Sequence, residues 1–143
     1  MEKPIDSLLS FSGFKIVHSS IDFNGPIGQN MNFGIDASGE INKSTNVFLL
    51  WLKVHVTDDI ASLNIKVDAS AEYKIEGGNI DDPAFSNYLF LNAPAILFPY
   101  IRAYITALTS LSGAETITIP PLNMSGIMDS LKKHTQIIEE PAI

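Results

Sequence analysis

Residues 63–76, LNIKVDASAEYKIE, alternate apolar and polar side chains without a break. Leu63, Ile65, Val67, Ala69, Ala71, Tyr73 and Ile75 fall on one set of positions, and Asn64, Lys66, Asp68, Ser70, Glu72, Lys74 and Glu76 on the other. A helix would scatter this pattern around its circumference, whereas a strand sends successive side chains to opposite faces. The run is therefore a strand with one dry and one wet face, long against the usual length of about five or six residues. A dry face of that length demands neighbouring strands and a covering layer.

The rest of the first half supplies the strands. VFLLWLKVHVT, 47–57, starts apolar on both faces and becomes alternating; the polar DDIAS after it predicts an antiparallel hairpin with 63–76. NMNFGIDA, 30–37, alternates Met31, Phe33 and Ile35 with Asn32, Gly34 and Asp36, and SGEINKSTN reads as the following loop. FSGFKIVHSSIDFN, 11–24, is extended and ends at Gly25-Pro26. Beyond Gly77-Gly78 the pattern changes. NIDDPAFSNYLFLNAP reads as a connector, unusually apolar at Phe85, Tyr88, Leu89, Phe90 and Leu91. From about Pro94, Leu97, Tyr100, Ile101, Tyr104, Leu108 and Leu111 form a helical stripe, with Gly113 as its stop. AETITIPPLNMSG is extended, because Pro120 and Pro121 exclude helix. A second helix is predicted near SGIMDSLKKHTQII, with Ile127, Leu131, Met128 and His134 on its inner side. The fold class is α+β: a four-stranded antiparallel β-meander covered on one face, followed by a long and a short C-terminal helix. Residues 1–143 make a single domain, with 136–143 expected as a flexible tail.

Composition narrows the functions. A net charge of −7 argues against nucleic acid as a partner. With no cysteine there is no disulfide framework or thiolate nucleophile, and MEKPIDSLLSF lacks the features of a signal peptide, so a cytoplasmic location is expected. His18, His55 and His134 lie in separate elements and suggest no metal site, and Asp58-Asp59 and Asp81-Asp82 read as turn residues. Gly77-Gly78 opens no phosphate-binding helix, and no nucleophile elbow occurs. No catalytic residue, cofactor or metal is expected, and the chain is not expected to be an enzyme.

The apolar segment 88–111 is long enough to span a bilayer, but two prolines, an asparagine and Arg102 stand against stable membrane insertion. A helix hydrophobic nearly all round must instead be buried by protein on more than one side. One sheet and a short second helix cover only part of it, which implies self-association through Leu97, Tyr100, Ile101, Tyr104 and Leu108. The small residues Ala103, Thr106, Ala107 and Ser110 would permit close helix approach.

Two stretches within this region carry a family resemblance. PAILFPYIR, 94–102, resembles the helix motif of the SecB export-chaperone family, and IPPLNM, 119–124, resembles the stretch leading to that family's last helix. The resemblance implies an ATP-independent holdase that binds unfolded or extended polypeptides, assembled as a homotetramer, a dimer of dimers, with the long helices between two eight-stranded sheets. It further implies a client groove lined by Phe85, Tyr88, Leu89 and Phe90 with Ile117, Ile119, Leu122 and Met124. Asp22, Asp68, Glu72 and Glu76 keep an acidic outer sheet face, but Asn24 and Lys66 stand where members that couple to the SecA motor ATPase carry acidic residues. LSGAET, 111–116, lacks the family's basic turn, and Ala103 replaces an acidic residue. General keeping of preproteins for export is therefore one reading; a dedicated chaperone or interaction module for one partner, such as an antitoxin, is the other. A small-ligand or lipid-binding domain using the same groove is a third.

Overall fold

The computed structural model describes residues 8–140. The chain forms β1 (Leu9–Phe23), β2 (Met31–Asn42), β3 (Val47–Asp58), β4 (Leu63–Ile75), α1 (Pro83–Leu111), α2 (Ser125–Lys133) and β5 (Thr135–Ile138). The alternation that predicted β4 is realised residue by residue: every apolar position from Leu63 to Ile75 is buried, and the intervening residues are half-buried or exposed. β3 pairs with β4 antiparallel across the expected hairpin, and its inward residues Phe48, Leu50, Leu52, Val54 and Val56 complete the centre of the core.

The strand order is β1-β4-β3-β2-β5, so the sheet departs from a simple meander. β2, β3 and β4 follow one another, but β1 lies beside β4 instead of β2. The connection that makes this possible is stitched over the β3–β4 turn by hydrogen bonds. Asn24 N–H donates to the Ser62 carbonyl at 2.8 Å, and the buried Asp58 carboxylate accepts from Gly28 N–H at 2.8 Å, Ser62 N–H at 2.8 Å and Leu63 N–H at 3.1 Å. Asp58 is thus a tie between two loops, a larger role than the turn residue it resembles in sequence. Burial alone would raise its carboxyl, but the N–H donors of Gly28, Leu63 and Ser62 outweigh that and hold it below its ordinary value. Because the folded value is depressed, the carboxylate's contribution to stability is complete above its ordinary value and is lost as pH falls through the folded value. Asp58→Asn is therefore expected to lower the urea midpoint at neutral pH and to flatten the acid side of a stability–pH profile, read by urea unfolding.

β2 also runs further than the alternation suggested: the SGEIN predicted as loop is paired strand through Asn42, opposite Val47. Its outer edge is joined by β5, which runs parallel from Gly39↔Thr135 to Asn42↔Ile138. Residues 136–138, predicted as tail, are therefore sheet; 139 and 140 carry no regular structure, and 141–143 lie outside the described residues. The join needs a glycine. A Cβ at Gly39 would lie 2.7 Å from Phe48 Cε1 and 2.9 Å from Thr135 Oγ1.

Across the outer face, the register lines up Asp36, Lys53 and Asp68 on three adjacent strands with alternating charge, and His18 of β1 lies next in the row. The inner face is covered by two helices. α1 packs over β1, β4 and β3, and α2 over β2.

α1 is the largest correction to the predicted elements. It begins at Pro83 and spans 29 residues, about 43 Å at 1.5 Å per residue. The expected connector is its first half. Asp82 caps it, accepting from Ala84 N–H at 3.1 Å, and Pro83 occupies a first-turn position where no N–H is needed. Pro94 and Pro99 then fall inside the helix, each removing one intrahelical hydrogen bond. Gly113, with φ of 83°, follows the last turn as predicted.

Candidate functional site

The long helix sorts its side chains by fours. Phe85, Leu89, Ala93, Leu97, Ile101, Ile105 and Thr109 are buried on the sheet side, while Asn87, Leu91, Ala95, Pro99, Ala103, Ala107 and Leu111 are exposed on the other. Such stripes follow the i±4 ridge, which is inclined to the helix axis, so the contact face rotates along a helix lying on a twisted sheet. The exposed stripe carries no charge.

This geometry divides the predicted residues. Of those expected to line a client groove, Phe85, Leu89, Phe90, Ile117, Ile119 and Met124 are buried within the single chain, and only Tyr88 and Leu122 are half-buried. Of those expected between subunits, Leu97 and Ile101 are fully buried against the chain's own sheet. Tyr104 and Leu108 are half-buried, and Tyr100 is 43% exposed. Tyr104 shares a hydrogen bond with Ser19 of β1 at 2.6 Å, and Tyr100 stacks on Phe14 with ring centroids 4.6 Å apart. Leu111, placed on the inner stripe by spacing, is 86% exposed, and His134 is exposed at the end of α2.

Polar contacts of two kinds fix α1 and the segment after it, one from the sheet and one from α1 itself. The buried Tyr73 hydroxyl donates to the Ala93 carbonyl, in the stretch of α1 that the two prolines interrupt. Burial also pushes the phenol's pKa far above its ordinary value. Tyr73→Phe keeps the packing and deletes that donor; it is expected to cost about 1 kcal/mol, seen as a lowered Tm in thermal unfolding.

Arg102 supplies the second contact. Its Nε donates to the Ile119 carbonyl at 2.8 Å, Thr106 Oγ1 donates to the Ile117 carbonyl at 3.2 Å, and Thr109 Oγ1 accepts from Ile117 N–H at 2.9 Å. The arginine of the ILFPYIR run thus pairs with a backbone carbonyl of its own chain. It clamps the segment that carries Ile119 to the flank of α1.

Apolar side chains remain partly open at the other end of the inner face. Met31, Phe33 and Ile35 on β2, Leu122 after α1, and Ile127 and Met128 on α2 are half-buried against the core. Sequence reasoning placed the β2 residues on a strand but assigned them no site. The available signal was that their alternation lies on a strand flanked beyond by little apolar sequence. The outer face offers a different feature, a hollow of about 410 Å3 beside the half-buried Leu49 and Trp51, where β1 bulges around Ser12 and Gly13.

Among the described residues no group of three or more metal-ligating side chains occurs, and no helix is long and apolar enough to cross a membrane. The architecture is shared with Rv1957 of Mycobacterium tuberculosis, a SecB-like chaperone solved in complex with a ChAD peptide from the Rv1956 HigA1 antitoxin. The TM-score is 0.68 at 14% identity, over 82% of this chain and 90% of that one. The fold is SecB-like. A protein of unknown function from Streptococcus agalactiae is also similar, with a TM-score of 0.52 at 14% identity over 79% of this chain and 97% of that one. In sequence, the chain is 26% identical to the uncharacterized protein MJ0357 of Methanocaldococcus jannaschii, over 93% of this chain and 90% of the relative. No protein-family model matches it.

Proposed function

We propose that this chain is a SecB-like chaperone without enzymatic activity or cofactor, working in the cytoplasm and dedicated to extended apolar segments of a particular polypeptide partner. The observation that carries the reading is a SecB-like fold whose core is edged by half-buried apolar side chains on β2, α2 and the segment before α2. Apolar burial is non-directional and suits partners recognised in extended form. The similar Rv1957 binds an antitoxin peptide, which favours a dedicated role over general export. The outer sheet face agrees with that preference. Lys53 and Lys66 lie among its acidic residues Asp22, Asp36, Asp68 and Glu72, and Asn24 is neutral, so the acidic pattern that a SecA contact would use is altered.

The charge-free exposed stripe of α1 supports assembly from several copies, with four as the proposed number. Light scattering is expected to give a mass near four chains; a monodisperse single chain would remove the assembly from this reading. Suppression of aggregation of the cognate partner without nucleotide tests the chaperone itself. Equal protection of unrelated denatured proteins would move the reading to general holdase, and no protection of any substrate would end it. Robust capture by the C-terminal tail of SecA would restore the export role.

A further inference from the structure

Residues 116–124, TITIPPLNM, link the two helices: 116–123 belong to no strand, the backbone of Ile117 and Ile119 is held to α1, and Met124 turns into α2. Ile117, Ile119 and Met124 are buried and Leu122 is half-buried, while Thr116, Thr118, Pro120, Pro121 and Asn123 are exposed. From Thr116 to Ile119 that is the side-chain order of an extended polypeptide lying on an apolar surface; the two exposed prolines then shift the order by one before Leu122, and Met124 turns into α2. What α1 grips is its backbone: Arg102 and Thr106 donate to the carbonyls of Ile119 and Ile117, and Thr109 accepts the Ile117 N–H. Such a grip does not read side chains, and the side chains inserted beside it are simply apolar. Pro120 and Pro121 offer no N–H, so no strand ladder can continue through them and hold the segment in place. The resemblance counts Ile117, Ile119 and Met124 as lining of a groove; in the single chain all three are buried.

We infer that residues 116–124 are an intramolecular occupant of the client groove, and that a client carrying apolar residues at every second position binds by displacing them. The Arg102–Thr106–Thr109 ladder and the apolar floor behind it are then the client-binding surface. This inference rests on the chaperone reading above and names the segment class that the site accepts. A filled groove lowers apparent affinity in proportion to the fraction of molecules in which it is open.

The test uses a fluorescein-labelled peptide with the sequence of residues 116–124, added to the full-length protein and followed by anisotropy. Ile117→Ala/Ile119→Ala weakens the resident segment but leaves the ladder intact, so it is expected to bind the peptide about tenfold tighter than the unsubstituted protein does. Reduced, carboxymethylated α-lactalbumin, or the cognate partner once known, is expected to compete the peptide off. Equal or weaker peptide binding by the variant would overturn the inference, since lining residues lose affinity on truncation where a competitor gains it. Tighter peptide binding that no polypeptide competes would overturn it as well.

A second measurement needs no variant. Hydrogen exchange at the Ile117 amide is expected to speed up when polypeptide binds the unsubstituted protein, and continued protection in the complex would count against displacement. The chaperone reading stands or falls separately, on the aggregation assay: protection there with a protected Ile117 amide rejects the displaced segment and leaves the chaperone.

Discussion

Leu97→Ala is expected to cost about 2–5 kcal/mol of folding stability. That is a large share of the roughly 5–15 kcal/mol available to a domain of this kind. The reason is position. Leu97 is fully buried on the sheet side of α1, one turn before Ile101 and one after Ala93, both also fully buried. Truncation removes apolar atoms from water-excluded contact and leaves a void that a helix pinned at Ala93 by Tyr73 and at Arg102 by Ile119 cannot easily close. The loss should be the same at every protein concentration, because Leu97 packs against its own chain. Leu91→Ala, on the exposed stripe, should change the stability of a dissociated chain by about 0.5 kcal/mol or less. Denaturant unfolding of the two variants at several concentrations separates these behaviours. A concentration-dependent defect for Leu97→Ala, without one for Leu91→Ala, would return Leu97 to the subunit contact that its spacing first suggested.

That contrast shows what the sequence could specify. A period-two pattern identifies faces, so β4 and β3 were legible nearly to the residue, and so was the dry side of their hairpin. It does not identify neighbours. β1 could join β2 or β4 with the same inward residues, and the choice is made by Asp58, Gly28 and Ser62, whose contacts lie far apart along the chain. The long helix was half-legible for a different reason. Asp82-Pro83 is a start signal, an acceptor side chain followed by a residue that needs no N–H, but Pro94 and Pro99, about three and more than four turns further on, pointed to a later beginning. Tertiary packing of Phe85, Leu89 and Ala93 overrides the cost of both prolines. β5 was hidden because Thr135–Ile138 is too short to show a period, and only the open edge of β2 makes it a strand.

The candidate site was legible as composition and illegible as arrangement. Phe85, Leu89 and Phe90 stood out as unusually apolar for a connector, and burial is the other use of such residues. Which apolar residues stay half-open depends on where α2 stops covering β2, and no local pattern encodes that. Arg102 shows the same limit. Its charge within an apolar helix marked it as special, but its partner is a backbone carbonyl, and carbonyls leave no trace in a sequence.

The exposed stripe of α1 leads to the second large effect. Ala103→Glu is expected to reduce self-association by about a thousandfold or more, since a contact through this stripe would bury an unpaired carboxylate in each copy. Ala103 is exposed in the single chain and its neighbours along the stripe, Pro99 and Ala107, are exposed too. Glutamate is a good helix former, so the fold of one chain has nothing to lose. Light scattering should therefore report a lower mass for the variant while its circular dichroism matches that of the unsubstituted protein. The small side chains at 95, 103 and 107 would let a second helix approach closely, towards the lower end of the usual 8–10 Å interaxial range. At that distance a glutamate has no room to turn its carboxylate out to water. Ala103→Ser, small and uncharged, should keep the original mass. Loss of mass in both variants would indicate a fold defect, and retention of mass in both would move the subunit contact off this helix to the free edge of β1 or the outer sheet face.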